Sequence, residues 1–337
     1  MSKNIIRVHE LGFPWITRDP FLFCVHHLDF YPKANSEMGP DASLAGRNIG
    51  NDFVIKDGWR MYHGDKVPGF PAHPHRGFET VTYVTRGLVD HADSAGGGGR
   101  YGNGDVQWMT AGRGLQHSEM FPLMNTEHEN TTELFQIWLN LPASKKMVEP
   151  AYKMLWNDSI PEAVFTNSQN KKTVVTIIAG AVGNVQAPAP APDSWAADPE
   201  NEVAIWHLNL EASASWELPA ASKEVNRMFY FFEGDTLEVD GQEISPGKVL
   251  ELVASQNVEI KNGAKASRCL LLQGKPINER VVQYGPFIMN SEAEIEQAFS
   301  DYRKSQFGVW PWPRPDQVFE KSKGRFAHFS DGSEVVK

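Results

Sequence analysis

The chain has 337 residues, 41% of them hydrophobic and 22% charged, a composition of globular proteins with room for two ordinary domain cores. Its 32 Lys and Arg stand against 42 Asp and Glu, and the resulting net charge of -10, with no basic patch, excludes direct nucleic-acid binding driven by counterion release. Cys24 and Cys269 have no C-x-x-C partner, which excludes a disulfide framework and a thiolate zinc site; with no apolar run of about 18 residues, a soluble cytoplasmic protein without membrane partners is expected.

Up to about residue 72, short apolar segments alternate with turn formers such as Asp19-Pro20, Gly39-Pro40 and Pro68-Gly69-Phe70-Pro71. Phe21 to Tyr31 (FLFCVHHLDFY) alternates as a strand. Its His26 and His27 are neighbours and point to opposite faces, so at most one looks into a barrel, and both are read as structural. His63 precedes the next stretch.

His73 to Glu119 is the chemically richest part of the chain. It opens with His73 and His75 and closes with His117 and Glu119, two pairs whose members are two residues apart. On a strand, side chains two apart share a face, so each pair aims both donors at one point, and two facing strands bring four donors together as a metal site. Thr80 to Val84 and Val106 to Met109 are rich in strand formers, while Asp93 to Gly104 reads as a flexible, glycine-rich hairpin loop. Glu79, four residues beyond His75, would share its face on an unbroken strand and stays open as an alternative carboxylate. Gly97, Gly99 and Gly102 satisfy G-x-G-x-x-G, but a strand follows where a dinucleotide fingerprint needs a helix, so the nucleotide is rejected.

Leu134 to Leu141 is an apolar strand ended by Pro142, and its Gln136 and Trp138 share a face as candidates for a pocket wall. Residues 145–170 read as a connection, and Thr173 to Ala179 as a buried β-branched strand. Ala187 to Pro192 alternates Ala with Pro and reads as a stiff surface excursion. From Val203 to about Gly274 the pattern is all β, with expected strands at residues 204–210, 227–232, 236–239, 242–244, 258–261 and 267–273. Asp240-Gly241 and Asn262-Gly263 are expected hairpin turns. Asn226-Arg227-Met228-Phe229-Tyr230 stands where a second His-x-His would fall and carries no ligand set. In the tail, Ser291 to Glu294 is a capping box, followed by Ile295, Ala298, Phe299 and Tyr302 at helical spacing. Residues from about 318 on are polar and read as partly loose.

HPHRGFETVTY followed by GDVQWMTAGRGLQHSE resembles the signature of the pirin family within the cupin superfamily, and the lead-in Gln283 to Asn290 is pirin-like as well. A run from Glu79 to Gly87 one residue longer than the usual cupin form, and the lack of a proline before the GRG turn, are both pirin-like. The resemblance implies an all-β fold of two cupin-type jelly-roll barrels with a C-terminal helix. Residues 1–150 would hold the metal, 151–285 a degenerate barrel without ligands, and 286–337 a helix and tail packed on the barrels. It assigns His73, His75, His117 and Glu119 to iron, most simply Fe2+, although Ni, Mn, Zn or Cu also suit the ligand types. It further implies a quercetin 2,3-dioxygenase-like oxidoreductase acting with O2 on a small aromatic, flavonol-like substrate that chelates the metal. In that reading Glu119, or Glu79 in its place, is the general base. The alternative implied by the same family is a non-enzymatic iron- or redox-dependent regulator that binds a protein partner.

Overall fold

In the computed structural model residues 3–337 are described, and they form strands with a single α-helix among the described residues. The first ten strands are β1 (Ile5–Glu10), β2 (Phe21–Tyr31), β3 (Gly69–His75), β4 (Phe78–Arg86), β5 (Leu88–Asp93), β6 (Gly98–Gly102), β7 (Val106–Thr110), β8 (Leu115–Met120), β9 (Asn130–Asn140) and β10 (Ala151–Leu155). There follow β11 (Glu162–Thr166), β12 (Lys172–Ala179), the short β13 (Ala181–Val182) and β14 (Val185–Gln186), then β15 (Ala204–Leu210), β16 (Ser215–Leu218), β17 (Asn226–Glu233) and β18 (Leu237–Val239). The remainder are β19 (Gln242–Ile244), β20 (Lys248–Val253), β21 (Val258–Asn262), β22 (Ser267–Gly274), β23 (Val282–Tyr284), β24 (Phe287–Met289), helix α1 (Glu292–Ser305), β25 (Phe326–His328) and β26 (Glu334–Val336). No helix of the described residues is long and apolar enough to cross a membrane.

Two compact units are each assembled from separate stretches of chain. One comprises Met1–Val25, Ile137–Asn140 and Asp158–Asn278; the other comprises His26–Gln136, Leu141–Asn157 and Glu279–Lys337. Against the expected segments 1–150, 151–285 and 286–337, the clearest difference is at the start. There β1 pairs antiparallel with β20, Val8 opposite Leu250, and so joins the sheet of the second half.

The first unit has a seven-stranded sheet, β1-β20-β17-β22-β15-β12-β11, and a four-stranded one, β16-β21-β18-β19. Strand periodicity of two explains its core. In Val258-Glu259-Ile260-Lys261 every second residue is buried, and Trp206, Phe229 and Leu271 of one sheet join Trp216, Val239 and Ile260 of the other in a single cluster. Each such large side chain contributes roughly 1.5–3 kcal/mol by leaving water. Asp240 and Gly241, with φ of 47° and 76°, turn β18 into β19 as the sequence predicts. Asn262-Gly263 is not a hairpin, because β21 pairs with β16 and β18 and not with β22. Asn262 instead ties a longer loop, its Nδ2 donating to the carbonyls of Leu210, Glu211 and Lys265.

The second unit carries the six-stranded sheet β26-β25-β6-β5-β8-β3 and most of the five-stranded sheet β10-β7-β4-β9-β2. Three expectations are corrected here and nearby. The supposed connection at 145–170 holds β10, paired with β7, and β11, paired with β12. Within the expected glycine-rich loop, Gly98–Gly102 form the buried strand β6, whose missing side chains leave room for other segments. A Cβ on Gly98 would lie 2.8 Å from Trp312, and one on Gly99 2.4 Å from the carbonyl oxygen of Phe326. The tail past 318 is not loose, since Phe326 pairs with Arg100 and is buried. Helix α1 forms as read: the Ser291 hydroxyl accepts from the Glu294 N–H, and Ile295 and Ala298 pack with Phe287 and Met289.

Candidate metal centre

The site grows from the antiparallel pairing of β3 with β8, in which His73 lies opposite His117. Alternation along β3 sends His73 and His75 to one face, and alternation along β8 does the same for His117 and Glu119. The ligand nitrogens of His73, His75 and His117 all lie within 4.8 Å of one another. Glu119 Oε2 stands 3.7 Å from His117 Nε2, beside this group of three.

Burial gives the cluster its chemistry. His117 is fully buried and neither of its ring nitrogens has a hydrogen-bond partner, a costly state for a polar group that a metal ion would relieve. His73 Nδ1 lies 2.8 Å from the Pro71 carbonyl, which can only accept; the proton is therefore assigned to Nδ1, and the Nε2 lone pair faces outward as a ligand. Burial lowers the His73 pKa from 6.5 to about 4, and it holds His75 and His117 well below their usual value, helped by the neighbouring imidazoles. All three are neutral at pH 7, the form that binds metal. Burial raises the Glu119 pKa, while His91, Thr82 and Gln136 pull it back. The Thr82 hydroxyl donates to Glu119 Oε1 at 3.0 Å and Gln136 Nε2 to Oε2 at 3.2 Å. Three neutral imidazoles with an orphaned buried nitrogen and an oriented carboxylate fit a transition-metal ion of mixed N/O preference.

Glu79 is placed differently. Gly77, at φ 87°, interrupts the strand after His75, and a Cβ there would fall 2.0 Å from the Ile288 carbonyl oxygen. Glu79 then starts a separate run on β4, where its fully buried Oε1 accepts from Thr110 Oγ1 at 2.7 Å and Trp108 Nε1 at 3.2 Å. His26 and His27 are structural, bonded to Glu133 at 2.9 Å and the Tyr62 hydroxyl at 2.8 Å. Of the two wall candidates on β9, Gln136 reaches Glu119, whereas Trp138 packs against Phe23 with ring centroids 4.7 Å apart.

His91 was not singled out from the sequence. On β5 it lies opposite Glu119, its ring 5.5 Å from that of His117 and stacked 4.8 Å from Tyr152. Its Nε2 is 3.0 Å from Asp93 Oδ2, and Asp93 Oδ1 accepts from the N–H groups of Ala95 and Gly97. The signal was present, since His91 and Asp93 are a third pair two residues apart, but reading a loop from Asp93 onward concealed it. A cleft of about 650 Å³ in this unit is lined by Arg76, Arg113, Glu149, Asp301, Lys304 and Phe307 among others, and by none of His73, His75, His117 and Glu119.

Comparison with known proteins adds the following. Residues 34–139 match the family model described as Pirin, and residues 205–308 the model described as Pirin C-terminal cupin domain. A Pseudomonas aeruginosa protein provisionally named quercetin 2,3-dioxygenase is 38% identical over 250 residues, 73% of this chain and 82% of that protein. Human pirin is 35% identical over 252 residues, 73% of this chain and 80% of that protein. The crystal structure of a quercetin 2,3-dioxygenase from Acinetobacter baumannii superposes with a TM-score of 0.70 at 26% identity, covering 92% of this chain and 99% of that one.

Proposed function

The chain belongs to the pirin family, with two cupin domains, and from that premise we propose that it holds iron through His73, His75, His117 and Glu119 and acts as a quercetin 2,3-dioxygenase-like enzyme. The observation that carries the reading is the triad of neutral imidazoles, in which both ring nitrogens of His117 lack a hydrogen-bond partner. Iron supplies coordination positions for a chelating substrate and a redox couple for its reaction with dioxygen. The chain's own work is to orient and to move a proton. Thr82 and Gln136 fix the two oxygens of Glu119, which orients that carboxylate to accept the proton of a flavonol hydroxyl. The names of the Pseudomonas and Acinetobacter relatives support the substrate class.

The test is elemental analysis of the purified protein combined with oxygen uptake on adding quercetin, for wild type and His117→Ala. Near-stoichiometric iron with uptake that disappears in the variant is the expected result. Bound iron without uptake would favour the non-enzymatic iron-dependent regulator, and full metal retention by His117→Ala would overturn the ligand set.

A further inference from the structure

The barrel that lacks histidine ligands contains a buried charge of its own. Arg227, on β17 where a second His-x-His would fall, is only 1% exposed. Its Nε donates to Gln273 Oε1 at 2.8 Å and its Nη2 to the Pro219 carbonyl at 2.9 Å, while its Nη1 is buried with no hydrogen-bond partner. Both hydrogen-bond partners are neutral, and the Glu202 carboxylate acts on the guanidinium only through space, without an ion pair to it. Burial lowers the Arg227 pKa to about 10, against an opposing pull from Glu202, which still leaves it cationic at pH 7.

This side chain lines a cavity of about 360 Å³ within the same unit. Ala204, Gln273 and Arg227 form one row of its wall, register partners across β15, β22 and β17. Trp206 adds an aromatic surface, and Pro188 and Pro190 of the alanine-proline stretch form another side, which gives that stretch a place in the fold. Asp198 and Glu202 also border the space, but each is engaged with backbone: Asp198 Oδ1 accepts from the Glu200 N–H, and Glu202 Oε1 from the Ser222 N–H.

We propose that this cavity binds a small monocarboxylate with an apolar body, the carboxylate pairing with Arg227 and the body lying against Trp206 and the prolines. A buried guanidinium with an unused N–H calls for an anionic acceptor. The volume is that of small-ligand pockets. Asp198 and Glu202 set the charge limit, since a dianion would meet their repulsion. The site is independent of the metal centre and of the reaction proposed for it.

Calorimetric titration of the full-length protein with 3-phenylpropionate and with its neutral isostere 3-phenylpropanamide tests the assignment. The acid is expected to bind at least about tenfold more tightly than the amide, the scale of one charge-assisted hydrogen bond. Arg227→Met should erase the preference. Ala221→Trp, which puts an indole into the cavity and keeps Arg227, should abolish binding of both and serves if the arginine variant does not fold. His117→Ala should leave the acid's affinity unchanged, which separates this site from the metal centre. Equal affinity for acid and amide, no binding to folded wild type, or binding that survives Ala221→Trp in a folded protein would each overturn the proposal.

Discussion

Arg100→Met probes the link between the chain's far end and the sheet that carries the histidine cluster. Arg100 and Asp90 are both fully buried and form a two-pronged pair, Nε to Oδ1 at 2.7 Å and Nη2 to Oδ2 at 2.8 Å. Arg100 also donates to the carbonyls of Phe319 and Glu320, and Asp90 Oδ2 accepts from the Phe319 N–H, so one cluster pins the tail onto β5 and β6. Without the guanidinium, Asp90 keeps its desolvation and loses its charge partner. The expected cost is about 3–5 kcal/mol, the range for a buried pair broken on one side. The double variant Asp90→Leu with Arg100→Met removes both charges and should recover most of that loss. Urea unfolding gives the energies, and hydrogen exchange at Phe326 to His328 reports whether β25 is the part released. A single variant within ~1 kcal/mol of wild type, as for an exposed ion pair, would refute the reasoning, and so would a double variant no more stable than the single.

Because burial lowers the His73 pKa from 6.5 to about 4, the unfolded chain takes up a proton between those values that the folded, metal-free chain does not. That contribution to stability is present above pH 6.5 and is lost as pH falls toward 4; the melting temperature of metal-free wild type should fall relative to that of His73→Gln across this window, and a constant difference would contradict it. Gln136→Leu removes the donor to Glu119 Oε2 and should weaken metal binding about 10–100-fold in chelator competition, whereas unchanged affinity would mean that Gln136 does not orient that carboxylate. Glu79→Gln should keep full metal content while costing about 1–3 kcal/mol, since its contacts run to Trp108 and Thr110; metal loss would place Glu79 among the ligands.

The histidine cluster was legible because alternation along a strand depends on spacing alone, and the spacings of His73 with His75 and of His117 with Glu119 are local. The same holds for the Ser291 cap and the Asp240-Gly241 turn, each fixed within a few residues. What escaped was set by partners distant in sequence. Gly98 to Gly102 reads as a loop until the bulk of Trp312 and Phe326 explains why side chains are missing there. Phe326-Ala327-His328 is too short to announce a strand and becomes one because β6 offers it a bare edge. His91 depended on that error, since a loop begun at Asp93 hid the strand that carries it. The gap between His75 and Glu79 turned on Gly77, whose positive φ breaks the shared face that an uninterrupted strand would have given them.

The way each unit draws on distant parts of the chain governs when it can be completed. Arg100 reaches the carbonyl of Glu320 across 220 positions, so the sheet holding His73, His75 and His117 lacks its last neighbour until the far segment has been synthesised. β1, made early, must likewise wait for β20. Contacts of such long range pay their loop entropy before they return any stability. Assembly of the histidine cluster is thereby deferred to a late moment in the life of the nascent chain, and a cut near residue 150 would deprive both barrels of strands and yield neither as a transferable module.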